Sequence, residues 1–64
     1  MLEPLAINPR EAARLTGYTI EYFAALRERG DGPPFAKLPN GRIRFPYPEF
    51  KAWFAREMGR ELAA

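Results

Sequence analysis

The apolar residues of this 64-residue chain are divided by glycine and proline into two short helical stretches, a hairpin and one longer helical stretch. The first stretch opens at Asn8-Pro9-Arg10-Glu11. An asparagine can cap a helix, a proline suits the first helical position, and a glutamate three residues after the cap completes a capping box. Ala12, Ala13 and Leu15 follow, and Thr16-Gly17 supplies a glycine stop, so a helix of about two turns is predicted. Too short to stand alone, it must pack on something. Only Tyr18 separates Gly17 from Thr19, a cap for a second helix that runs from Ile20 to about Arg29 and is closed by Gly30. On that helix Phe23 and Leu26 are three apart and should meet Ala12, Ala13 and Leu15, which leaves Ile20, Glu21, Ala24, Arg27 and Glu28 mostly outward.

Asp31-Gly32-Pro33-Pro34 cannot be helical, because each proline lacks a donor and pushes the residue before it into extended geometry. Two short runs, Phe35–Leu38 and Arg42–Phe45, then flank Pro39-Asn40-Gly41. Asn-Gly is a strong hairpin signal because both residues tolerate positive φ, so a two-stranded ribbon is predicted. Alternation puts Phe35 and Lys37, with Arg42 and Arg44, on one face and Ile43 and Phe45 on the other, the register at the tip being open by one residue. Pro46-Tyr47-Pro48 ends the ribbon, and Phe50, Trp53, Phe54 and Met58 recur at helical spacing. A third helix from Pro48 to about Leu62 should close the core. The fold class expected is mainly α with a small two-stranded β-hairpin, in one domain over 1–64 with its core at about 5–57.

Composition changes this picture chiefly by what it lacks. The chain has no cysteine and no histidine, so disulfides, thiolate metal sites, and the commonest metal ligand and general base are all absent. We therefore expect no enzyme activity, no metal, no cofactor and no small-molecule substrate. Glu57 and Glu61, four apart, read as surface charge rather than a metal site. Phe23, Phe45, Phe50 and Trp53 are the large side chains that can stabilise so short a chain, and the spacing of Trp53 and Phe54 with Phe50 reads as core rather than as a stacking platform for bases. The start of the chain lacks the basic and apolar run of a signal peptide, and no apolar stretch is long enough for a membrane span, so a cytoplasmic protein without a membrane partner is expected.

Net charge is only +2, but it is unevenly placed. Lys37, Arg42 and Arg44 lie within eight residues that hold no acid, while the rest of the chain sums to one negative charge. A polyanion would be met there. The alternative for Arg42 and Arg44 is a solvated hairpin edge whose charges discourage strand-to-strand aggregation.

The order of these pieces resembles a known family. Arg10-Glu11-Ala12-Ala13-Arg14-Leu15-Thr16-Gly17, then Leu26 to Phe35 with Gly30-Asp31-Gly32-Pro33-Pro34, Lys37-Leu38, Arg42-Ile43-Arg44-Phe45 and Glu49-Phe50-Lys51-Ala52-Trp53-Phe54 are similar to the excisionase and AlpA-type small winged helix-turn-helix proteins, which share the MerR-like DNA-binding domain. The resemblance implies a winged helix-turn-helix whose second helix enters the major groove while the hairpin, the wing, reaches the backbone and minor groove. It implies double-stranded DNA as the partner. Arg42 and Arg44 match the wing arginines, and the wing also offers Lys37 and Asn40. The second helix departs from the family pattern. Ile20, Tyr22, Ala24 and Ala25 stand where members often carry Arg, Thr, Tyr and Arg, which leaves Thr19, Ile20, Tyr22 and Arg27 as its groove-facing candidates.

Three functions follow as expectations. The first is an excisionase of a phage or mobile element that binds and bends DNA cooperatively with neighbouring copies of itself and directs a site-specific integrase. The second is an AlpA- or MerR-like transcriptional regulator, which one DNA-reading domain serves equally well. The third is a protein-interaction module that docks through the second helix, favoured by Ala24 and Ala25.

Overall fold

The computed structural model describes residues 3–63. Its elements run β1 (Ala6–Ile7), α1 (Pro9–Thr16), α2 (Ile20–Arg29), β2 (Ala36–Lys37), β3 (Ile43–Pro46) and α3 (Tyr47–Ala63). The helices follow the local chemistry. Asn8 Oδ1 accepts the Glu11 N–H at 2.7 Å while the Asn8 N–H donates to Glu11 Oε1 at 3.2 Å, the reciprocal pair of a capping box. Thr19 Oγ1 accepts the Tyr22 N–H at 3.0 Å and starts α2.

Between them, Gly17 turns into left-handed geometry at φ 81° and donates its N–H to Ala13 O at 2.8 Å. A side chain is disfavoured at that φ, so glycine permits a turn only three residues long. Thr16 tightens it further: its hydroxyl donates to Ala12 O at 2.8 Å and accepts the Tyr18 N–H at 3.2 Å.

The β-structure is larger than the predicted two-stranded ribbon. It is a three-stranded antiparallel sheet in the order β1-β3-β2, with Ile7 opposite Phe45 and Ala6 opposite Pro46. A two-residue strand has too little alternation to be read from sequence. It forms because β3 has a second open edge and because Ile7, fully buried, gains apolar contact there. The bond from Tyr47 N–H to Leu5 O at 3.0 Å continues the join into the start of α3.

The face assignment of the ribbon is also corrected. Lys37 is the partner of Ile43 and Ala36 that of Arg44, and cross-strand partners share a face. Lys37 therefore lies on the face of Ile43 and Phe45, opposite Arg44, because strands that end at Leu38 and resume at Arg42 bring Lys37 against Ile43 and not against Arg42 or Arg44. The turn fixes this register. Gly41 N–H donates to Leu38 O at 2.8 Å and Leu38 N–H to Arg42 O at 2.7 Å, and only Gly41, at φ 86°, takes positive φ there. The loop is the three residues Pro39-Asn40-Gly41 that the strand limits implied, with glycine in the left-handed position.

The core consists of Ile7, Ala12, Phe23, Leu26, Phe45, Phe50 and Trp53. Phe23 is its centre, with ring centroids 5.7 Å from Phe45, 6.0 Å from Phe50 and 6.0 Å from Trp53. These tilted arrangements suit the ring quadrupoles and add to area burial. Leu15, expected in the stripe with Ala12 and Ala13, is instead 47% exposed, beside Phe50 and Phe54 of α3 at the edge of the core. Among the described residues no helix is long and apolar enough to cross a membrane.

Candidate nucleic-acid interface

β1 runs antiparallel to β3 on the edge opposite β2, with Ile7 against Phe45, so the chain leaving β1 runs back alongside β3 toward Arg44 and brings the N-terminus of α1 to the ribbon. A shallow groove of about 390 Å³ results, with Asn8-Pro9-Arg10 on one wall, Arg42-Ile43-Arg44 on the other and Ile20 at the end. Three arginines from two separate elements converge on it, and no acid lines it. Such a concavity can hold an anion, since charge-assisted bonds to phosphate oxygens are about twice as strong as neutral ones.

Arg10 is the residue that sequence reasoning missed. A cation in the first turn of a helix opposes the helix dipole, and that misfit was the only signal it gave. Nothing in the sequence placed Arg10 near the ribbon, because the placement depends on β1.

The predicted residues divide. Ile20, Arg42 and Arg44 come together in the groove. Arg44 is half-buried and donates from Nη1 to Ile43 O at 2.9 Å, so its head is partly tied to the ribbon, whereas Arg42 is exposed. Asn40 is exposed at the tip and its Oδ1 accepts the Arg42 N–H at 3.0 Å, which gives it a turn-forming part. Lys37 is exposed on the opposite face of the ribbon from Arg44. Thr19 spends an acceptor of its hydroxyl on the cap of α2.

Tyr22 lies about 200° around α2 from Ile20, since each residue turns a helix by about 100°. It faces α3, with its ring 4.9 Å from that of Tyr18 in an edge arrangement. Arg27, seven residues after Ile20, is half-buried, with its guanidinium carbon 5.8 Å from the Phe35 ring centroid and Nη1 buried without a hydrogen-bond partner among the described residues. A cation over a ring offsets part of that cost. Between these flanks the solvent-facing ridge of α2 carries Glu21, Ala25 and Glu28, all exposed, and half-buried Ala24.

No family model, curated protein or solved structure matches the chain.

Proposed function

We propose that this protein binds duplex DNA as a small winged helix-turn-helix of the MerR-like kind, with the ribbon as its wing. The observation that carries the reading is the convergence of Arg10, Arg42 and Arg44 on one acid-free groove beside the start of α2. Surface arginines gathered from separate elements contribute little to stability, whereas a polyanion contacts them together. The tight α1–α2 turn and the exposed ridge of α2 fit a helix presented to a groove about 12 Å wide.

The ridge also limits what α2 reads. Without a basic side chain at its centre, it offers no bidentate contact to guanine. Discrimination then depends on DNA shape and deformability and on neighbouring copies bound in tandem. That combination suits an accessory factor that bends DNA for a site-specific integrase, in line with the excisionase resemblance. An AlpA- or MerR-like regulator is the alternative, and footprinting separates them: repeated sites beside a recombination core indicate excision, a lone promoter site regulation. One observation favours a third reading, docking of α2 on a protein: the same lack of base-reading donors on its ridge.

A salt titration of duplex binding tests the proposal. If Arg10, Arg42 and Arg44 each neutralise one phosphate, the logarithm of the association constant falls against the logarithm of salt with a slope near −2.7, from about 0.9 per phosphate. No binding to any genomic duplex at low salt sinks it.

A further inference from the structure

The other flank of α2 has a groove of its own, of about 490 Å³, between α2 and α3. Tyr22, Leu26 and Arg29 line it from α2, and Trp53, Arg56 and Arg60 from α3. Positions 22, 26 and 29 are four and three apart, one face of the helix, and that face is turned away from Ile20 and the ribbon groove. Three arginines again meet from two elements. Two acids lie with them, Asp31 and Glu57, but each is engaged only loosely: Arg29 Nε to Asp31 at 3.5 Å and Arg60 Nη1 to Glu57 at 3.4 Å, with both arginine side chains more than half exposed. Pairs of this kind are weak and screened, so another anion can exchange for either. Arg56 is exposed and has no ion-pair partner among the described residues.

We infer that Arg29, Arg56 and Arg60 form a second phosphate-contacting surface, so that α2 is flanked by one arginine groove on each side. The inference rests on the duplex-binding reading and extends it. A helix seated in a major groove has a phosphate strand on either hand, and the groove width of about 12 Å is close to the diameter of a helix with its side chains. The ribbon groove with Arg10, Arg42 and Arg44 meets one strand, and the α2–α3 groove meets the other. The outward ridge of Glu21, Ala24, Ala25 and Glu28 lies between them, facing the base edges and away from both phosphate rows. This arrangement gives the acidic ridge a place in a complex with a polyanion. It also gives α3 a surface role along with its core residues Phe50 and Trp53.

The test compares the wild-type protein with Arg29→Gln/Arg56→Gln on one duplex, by salt titration and by ethylation interference on both strands. Glutamine keeps the length and polarity of the exposed side chains, and circular dichroism checks that the fold is unchanged. The wild-type slope should be steeper than −2.7, and the variant should lose up to about 1.8 of it, at about 0.9 per phosphate. Interference should be lost at phosphates on one strand only, while Arg42→Ala/Arg44→Ala loses those on the other. A folded variant with the wild-type slope and interference pattern overturns the second surface and leaves duplex binding standing. A wild-type protein that binds no duplex overturns both.

Discussion

The aromatic cluster and the ribbon groove are built from the same short elements, often from adjacent residues. Phe45 is fully buried against Phe23 while Arg44, next in the strand, turns to the groove. Ile7 is buried while Arg10, three residues on, lines the groove, and on α2 Phe23 is buried while Ile20 lines it. Strand alternation and helical turn thus separate the core from the proposed binding groove within a few residues. The difference teaches that substitutions one position apart should have effects of different kinds. Inner positions decide whether the protein folds, and outer positions line the groove proposed to meet DNA.

The strongest attempt to break that separation is Phe23→Ala. Removing a buried phenylalanine costs about 3 to 5 kcal/mol, against a total of about 5 to 15 kcal/mol for native domains and the low end for a chain this small. The variant should be largely unfolded, with loss of the cooperative thermal transition followed by Trp53 fluorescence. A variant that still unfolds cooperatively, within about 1 kcal/mol of wild type, contradicts the central place given to Phe23.

Arg42→Ala with Arg44→Ala approaches from the other side. Thermal stability should change little, because Arg42 is exposed and unpaired surface charges contribute little, and the half-buried Arg44 gives up only its bond to Ile43 O. The salt slope for duplex binding should shrink by up to about 1.8. An unchanged slope with normal circular dichroism would mean that the binding surface is elsewhere.

How much of this was legible in the sequence follows from the range of each interaction. The capping box at Asn8 and Glu11, the Thr19 cap and the Gly17 stop are made by residues within four of one another, and all were readable. The core positions of Phe23, Leu26, Phe50 and Trp53 also followed from spacing. What was not legible depends on residues about 40 positions apart. β1 exists only because Ile7 lies opposite Phe45, and Arg10 reaches the ribbon only through that pairing. The face of Lys37 was misassigned although the strand limits at Leu38 and Arg42 already set its partner: a three-residue loop pairs Lys37 with Ile43, and one residue of slip inverts every face on one strand. Leu15 shows the same limit. Periodicity marks it apolar, but it lies at the edge of the core beside Phe50 and Phe54 of α3, 47% exposed.

Gly17→Ala sharpens the comparison with a smaller effect, since the glycine belongs to neither region and lies in the turn between α1 and α2. No heavy atom outside its immediate neighbours lies within 4 Å of where the new Cβ would be, so the cost is that of the left-handed backbone alone. For an L-residue that is about 1 to 2 kcal/mol. Denaturant unfolding should show a lower midpoint with an unchanged m-value, and the salt slope should stay at the wild-type value if the turn recovers its geometry. A gain in stability would mean that the turn relaxes out of positive φ.

The smallest effect concerns a contact outside both regions. Lys51 Nζ lies 2.8 Å from each carboxylate oxygen of Glu3 and 4.9 Å from the Tyr47 ring centroid, and so ties the segment before β1 to α3. The hydrogen bond with Glu3 raises the Lys51 pKa above its ordinary value, desolvation opposes the rise, and the charges of Glu3 and Tyr47 add to it. A pKa raised by folding contributes stability that is fully present below the unfolded value and is lost as pH rises through the folded one. The stability gap between wild type and Lys51→Gln should therefore be small and constant through neutral pH and should close at strongly alkaline pH. It should also shrink in 1 M salt, where the Debye length is about 3 Å, whereas the loss from Phe23→Ala should not shrink. A gap that persists in both high salt and alkali would show that Lys51 acts through the packing of its aliphatic stem on Tyr47, and the contact would then belong with the core.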